Sequence, residues 1–335
     1  MKACRLKING HTNHFVIEET ERPRPMPRQV LVRMRAASLN RRDIMLAEDR
    51  LGVPIPPHGM IPLSDGSGDV VEVGAEVTRF APGDRVAGAF FQTWISGTVT
   101  PQDLPMTLGG PLDGVLAEYC ALDEAGLVHV PEHLSYEESS TLPCAAVTAW
   151  NALFEGKPLR MGQTVLVMGA GGVSMFALQF ARAAGARVIA ISSNESRLEH
   201  MRNLGAWRTI NYLSNPDWPN SLMQLTEQRG ADHVVDIGGA ESLPKSIASV
   251  AMGGCVSVVG VMTFGGVELA PLIAKSATLR GIAVGSRDMF EAMNRAMVNN
   301  DLHPVIGQRM NWHQVADAYA HMKSGAHIGK IVLSL

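Results

Sequence analysis

A chain of 335 residues is too long for one ordinary hydrophobic core, so two domains are expected. Hydrophobic residues make up 46% and charged residues 18%, a globular composition that excludes disorder. The net charge of −3 comes from 29 basic and 32 acidic residues with no basic run, which counts against nucleic acid as a partner.

From Met1 to Val32 there is no apolar core of signal-peptide length. Up to about Pro143 the chain carries short β-type runs, Gln29–Arg35, Gly68–Val73, Asp84–Ala87 and Leu116–Leu122, punctuated by Pro23, Pro25, Pro27, Pro62, Pro82 and Gly83. This texture predicts a compact, largely antiparallel barrel. After about Ala145 strands alternate with helices. The strands are Thr164–Met168, Arg187–Ile191, Arg208–Tyr212, Asp232–Ile237, Cys255–Gly260 and Leu279–Val284, and the first two helices are Gly172–Ala184 and Ser196–Leu204. Parallel strands need crossovers, so this half predicts a doubly wound parallel sheet. Asp288–Asn300 reads as a helix, and Lys330–Leu335 as a strand that rejoins the first domain.

The longest uncharged apolar stretch, Gly253 to Val267, is broken by five glycines and reads as strand plus loop, not as a membrane span. Cys4, Cys120, Cys144 and Cys255 have no paired spacing, which fits a reduced, cytoplasmic protein without a Cys-rich zinc lobe. None of the 11 histidines is expected to form a metal-type cluster.

The strongest motif runs from Val165 to Ile191. Gly169 permits the turn out of a strand, Gly171 lets the backbone approach a pyrophosphate, and Gly172 opens a helix whose N–H groups and dipole favour phosphate. With Ala170 and Val173 these residues form the expected cofactor turn. Ser174 takes the place of the usual third glycine, small enough for close helix–strand packing. A β-α-β unit surrounds the turn, as a dinucleotide site requires. At the end of the second strand stand Ser192, Ser193 and Asn194, with Glu195 expected in the turn. No carboxylate there repels a 2′-phosphate, so NADP is favoured over NAD. Arg197 is the nearest cation, either a phosphate ligand or a solvated helix charge, and Tyr212 is expected to end the next strand.

The passages ASLNRRD (Ala37–Asp43), PLSDGSGDVVEVG (Pro62–Gly74), APGDRV (Ala81–Val86), LPCAAVTAWNAL (Leu142–Leu153), the GAGGVS turn and GKIVL (Gly329–Leu333) occur in order over nearly the whole chain. Together they resemble the medium-chain dehydrogenase/reductase superfamily, in particular its zinc-free quinone oxidoreductase-like and alcohol dehydrogenase-like members. The resemblance implies an α/β protein with a GroES-like β-barrel catalytic domain (1–145 with 287–335) and a Rossmann doubly wound parallel-sheet cofactor domain (146–286). In zinc-dependent relatives a cysteine, a histidine and a cysteine hold the metal. Motif matching puts Asn40, Ser64 and Cys144 at those positions, with Asp65 at a family carboxylate near the metal. An amide, a hydroxyl and one thiolate make a poor zinc set, so no zinc is expected.

Without a Lewis acid, hydride transfer to an electron-poor acceptor is easier than oxidation of an unactivated alcohol. The leading expectation is NADPH-dependent reduction of a quinone or α,β-unsaturated carbonyl. The alternatives are an alcohol or aldehyde dehydrogenase, or a non-catalytic NADPH binder. The expected catalytic residues are Asn40, whose amide can donate to a carbonyl oxygen, Thr148, matching a threonine near the nicotinamide, and Asp43, which would orient the loop or pair with Arg42. Arg41 stands where an aromatic residue is frequent and suits an anionic substrate or a surface charge. The resemblance assigns the cofactor, besides the turn and strand-end residues, Gly238, with Gly239 beside it, Gly260, Val261, Val284, Gly285, Ser286 and Lys330. The strand Leu279–Val284 is expected at the edge of its sheet, an apolar edge that invites a homodimer.

Overall fold

The computed structural model describes residues 1–9, 12–260 and 265–335. Two compact units emerge, Met1–Val147 with Gly285–Leu335, and Thr148–Val284.

The first unit begins with a hairpin of β1 (Lys2–Asn9) and β2 (Thr12–Glu19), in which Lys2 pairs with Glu19. Then follow β3 (Gln29–Ser38), α1 (Arg41–Ala47), β4 (Asp65–Val73), β5 (Arg85–Gly88), β6 (Tyr119–Asp123), β7 (Leu127–His129) and α2 (Tyr136–Ser139). The pleat aims Val30, Val32 and Met34 of β3 at one core, which also takes Leu39, Leu63, Val86 and Leu116. A π-helical turn, Leu142–Ala146, precedes α3 (Val147–Phe154), whose residues from Thr148 onward belong to the second unit.

In the second unit the elements alternate: β8 (Thr164–Met168), α4 (Gly172–Ala183), β9 (Arg187–Ser192), α5 (Glu195–Asn203), β10 (Arg208–Asn211), α6 (Trp218–Leu225), β11 (Ala231–Asp236), α7 (Leu243–Ser249), β12 (Val250–Val258), α8 (Ala270–Ala274) and β13 (Thr278–Gly281). The sheet order is β10-β9-β8-β11-β12-β13, all parallel, the doubly wound Rossmann arrangement. β8 and β11 are buried at every residue, as central parallel strands covered on both faces must be.

The chain returns to the first unit through α9 (Arg287–Asn299), β14 (Ile306–Asn311), α10 (Val315–Ser324) and β15 (Lys330–Ser334). β15 lies between β14 and β3, completing the order β14-β15-β3-β4-β5-β7, with β6 also paired to β3. The sheet is antiparallel except for the parallel β14–β15 pair.

Several sequence-derived bounds are corrected. The strand expected at Leu116–Leu122 begins at Tyr119, where pairing with Arg33 of β3 starts. The one expected from Cys255 begins at Val250, because a register shift opposite Ala231–His233 lets the strand pass through Gly253, which holds φ +65°. The edge strand stops at Gly281, where its pairing with Val258 ends. Glu195 is the first residue of α5, since Asn194 caps that helix by accepting from the Arg197 N–H at 3.2 Å. Tyr212 lies one residue beyond β10.

His233, in β11, is 1% exposed and neither ring nitrogen has a hydrogen-bond partner. Burial, helped by the charge of Lys157, pushes its imidazole down to about 4. Its neutral form is therefore favoured in the fold. The associated stability is complete above the ordinary value near 6.5 and is lost as the pH falls toward 4. Urea unfolding should show about 2 kcal/mol less stability at pH 5 than at pH 7.5 from this residue, and His233→Leu should remove that part of the slope. Equal slopes in the two proteins would contradict this.

Candidate functional site

The expected site residues fall into two groups, one on each unit. On the second unit, β8 ends at Met168 and Gly169 turns the chain with φ +69°, its N–H donating to Ile191 O at 2.7 Å. A Cβ on Gly169 would meet the Ile237 side chain at 2.9 Å, so backbone and packing both demand glycine. Gly171 differs. It caps α4 at φ −81° and ψ −176°, ordinary for any residue, and a Cβ there would meet nothing within 4 Å. What that Cβ would fill is the space before the helix N-terminus. The Met175 N–H donates to Gly171 O at 3.0 Å, so the N–H groups of Gly172, Val173 and Ser174 precede the intrahelical ladder. Ala170 is buried, and Ser174 donates its hydroxyl back to Met168 O at 2.5 Å. Free amides, the helix dipole and an open face fit the pyrophosphate of a dinucleotide.

The other expected cofactor residues of this unit follow its strand ends. Ser192 closes β9, and its carbonyl accepts from the Tyr212 N–H at 3.1 Å, while Ser193 follows and Arg197 lies in the first turns of α5. Glu195 accepts from Asn211 Nδ2 at 2.9 Å and from Arg202 at 3.2 Å, so both carboxylate oxygens have partners. Asp236, which sequence reasoning missed, organises the next loop. Its Oδ1 accepts from Gly238 N at 2.8 Å, Gly239 N at 3.2 Å and the Ser242 hydroxyl at 2.6 Å, and its carbonyl accepts from Gly260 N at 3.3 Å. The signal was an aspartate at a strand end before two glycines. A Cβ on Gly260 would fall 1.9 Å from Ile237 O, so only glycine passes there. Val284 holds φ +54°, rare for a β-branched residue, and its carbonyl accepts from Asn151 Nδ2 at 2.7 Å. Thr148 is buried on α3. Val261 lies outside the described residues.

On the first unit, the end of β3, the start of β4, the start of β15 and the π-helical turn bring one buried polar cluster together. Lys330, 2% exposed, donates to Leu39 O and to Asn40 Oδ1, both at 2.6 Å, and lies 3.6 Å from Asp65 Oδ2. Asp65 also accepts from the Ser64 hydroxyl at 2.7 Å and from Cys144 N at 3.1 Å. Asn40 is the N-cap of α1. Its N–H donates to Asp43 Oδ2 at 2.7 Å, within a capping box of Asn40 and Asp43. Asn40 Nδ2 is buried with no partner. Burial pushes the Asp43 carboxyl up to about 6, opposed by Arg42, whose guanidinium lies 3.7 Å away and also donates to Leu108 O and Gly109 O. Burial and then Asp65 drive the Cys144 thiol far up.

Lys330 thus joins Asn40 and Asp65, with its ammonium committed to them. Gly285 and Ser286 likewise belong to the first unit, where the Ser286 hydroxyl caps α9 by accepting from Met289 N at 3.2 Å. The expectation of no histidine cluster is corrected. His133, Asp301 and His303 present ligand atoms within 4.8 Å of one another, because the loop after β7 meets the segment after α9. The Nδ1 of His303 also contacts Glu138 at 2.7 Å.

Two family models match the chain: "Alcohol dehydrogenase GroES-like domain" over residues 26–132 and "Zinc-binding dehydrogenase" over 172–299. A zinc-type alcohol dehydrogenase-like protein of Schizosaccharomyces pombe is 42% identical over 327 residues, 95% of this chain and 94% of that protein. A quinone oxidoreductase of Pseudomonas aeruginosa is 34% identical over 228 residues, 68% of this chain and 63% of that protein. The crystal structure of a putative alcohol dehydrogenase from Sinorhizobium meliloti superposes with a TM-score of 0.94 at 39% identity, covering 100% of this chain and 98% of that one.

The two glycines of the turn separate binding from folding. Gly171→Val should leave the melting temperature unchanged and weaken dinucleotide binding by about tenfold or more, read by fluorescence titration. Gly169→Val should lower the melting temperature itself, through the positive φ and the Ile237 contact. Unimpaired binding by the Gly171 variant would remove the turn from the cofactor site.

Proposed function

The chain belongs to the medium-chain dehydrogenase/reductase superfamily, and from that premise we propose that it reduces quinones or α,β-unsaturated carbonyls with NADPH, without zinc. The observation that carries the reading is the state of the three metal-type positions. The Asn40 oxygen is taken by an ammonium, the Ser64 hydroxyl donates to Asp65, and of the three positions only Cys144 offers sulfur. Zinc wants deprotonated sulfur or neutral imidazole, and a dication beside Lys330 would be repelled, so these residues do not fit it.

Reduced nicotinamide supplies a hydride; the acceptor gains that hydride and one proton from water. Asn40 Nδ2, a buried donor in need of a partner, binds the carbonyl oxygen where charge develops. Asp43 holds the main chain of Asn40, so the donor is fixed before the acceptor arrives. Thr148 contacts the nicotinamide side, and Gly169–Val173 hold the pyrophosphate. Preference for NADPH is supported by Glu195, whose oxygens are engaged within its own unit, with Ser192, Ser193, Arg197 and Tyr212 as the proposed contacts of a 2′-phosphate. Gly238, Gly260, Val284, Gly285 and Ser286 complete the proposed nucleotide contacts.

A second reading, an alcohol or aldehyde dehydrogenase, is favoured by the names of the relatives and is separated by alcohol-dependent reduction of NADP or NAD. A cytoplasmic setting is supported by four cysteines that form no disulfide; none of the described helices is long and apolar enough to cross a membrane. A homodimer through the edge strand β13 is supported by α8 beside it in sequence, which buries no residue and leaves Ile273 75% exposed.

On a mixed panel the protein should oxidise NADPH with an enone or quinone, at a rate indifferent to chelators. Activity abolished by chelation and restored by zinc would overturn the reading. Sedimentation at micromolar concentration should give twice the 36.0 kDa chain mass; a single-chain mass would refute the dimer.

A further inference from the structure

We infer that Lys330 is the positioning residue of the acceptor site: its ammonium holds the oxygen of the Asn40 amide, which leaves Nδ2 to donate to the acceptor and places a positive charge behind the amide. The inference rests on the reading above that Asn40 binds the acceptor oxygen.

An asparagine at a helix N-cap ordinarily turns its side-chain oxygen onto the amides of the first turn. Here the first-turn Asp43 N–H donates to the main-chain oxygen of Asn40 at 3.0 Å, and the side-chain oxygen accepts from Lys330 at 2.6 Å. An ammonium only donates, so it selects the amide oxygen and leaves Nδ2 on the other side. That nitrogen is unpartnered although Asn40 is 8% exposed. Buried donors are normally paired, so one left over beside a buried ammonium calls for a water or a ligand acceptor to complete it. Pulling electron density toward Oδ1 also strengthens Nδ2 as a donor, since hydrogen bonds in a chain polarise one another.

The fold builds the clamp from both ends. Gly329 holds φ +62° where a Cβ would strike Val305 O at 2.1 Å, and β15 pairs Val332 with Ser38, which sets Lys330 beside Leu39 and Asn40. Asp65, itself held by Ser64 and Cys144 N–H, balances the charge from 3.6 Å. The site thus sets a charge-balanced ammonium directly behind a neutral donor. That arrangement suits an acceptor whose oxygen gains charge by delocalisation, an enone or quinone, over an alcohol that must first lose a proton.

The test uses the full chain with NADPH and 4-dimethylaminocinnamaldehyde, an enal whose absorption moves to the red when its oxygen is strongly hydrogen-bonded. Wild type should show the red shift. Lys330→Met combined with Asp65→Asn leaves no lone buried charge. It should keep the NADPH affinity within about twofold and lose the shift, with kcat falling about 10²–10³-fold and KM changing less. Asn40→Asp keeps the shape and the contact with Lys330 but has no N–H to offer; it should also lose the shift, and it tests the geometry even if the double variant does not fold. A double variant that folds and retains shift and kcat, or an Asn40→Asp protein that does so, overturns the inference and leaves the reductase reading standing. No turnover and no shift from wild type on any acceptor overturns both.

Discussion

An ammonium out of water is the constraint around which the first unit is arranged. Desolvating it costs several kcal/mol unless hydrogen bonds and an opposite charge take the place of water. Lys330 finds two oxygens at 2.6 Å and a carboxylate at 3.6 Å, contributed by the end of β3, the loop entering α1 and the start of β4. Only insertion of β15 beside β3 brings the lysine there. The last strand of the chain therefore belongs to the same unit as the first hairpin, and its register decides which way Asn40 faces.

The second unit solves a different electrostatic problem. Its parallel strands end on one side of the sheet, and the glycine turn after β8 leaves main-chain donors with no partner of their own. Gly169 is a glycine because the chain must turn and pass Ile237; Gly171 is a glycine for which the protein's own packing supplies no reason. A position of that second kind is better evidence of a ligand than the motif itself. Asp236 has the matching structural role at the end of β11, drawing the loop amides and two serine hydroxyls inward so that the chain beyond it holds its shape.

The proposed reduction is chemistry in which charge on the acceptor oxygen is met by a neutral donor. Hydrogen bonds aimed at developing charge in a buried site are worth more than in water and need no rearrangement during reaction. A polarised amide supplies such a bond, whereas it is a poor means of ionising an alcohol.

Much of this was legible in the linear chain. The alternation of strand and helix, the glycine turn and the weak donor set at Asn40, Ser64 and Cys144 follow from residue type and local spacing, because the forces behind them act within a few residues. Strand limits such as Val250 and Gly281 were not legible, since a strand ends where its neighbour stops pairing. Nor were the partners of Lys330, which lies 290 residues from Asn40. By itself the sequence determined the class of fold, the glycine turn and the amide, hydroxyl and thiol that stand at the three metal-type positions. Only the tertiary structure decided which oxygen the buried lysine takes and so which atom of Asn40 stays without a partner, because hydrogen bonds between distant strands depend on register, and register exists only once the sheet has formed.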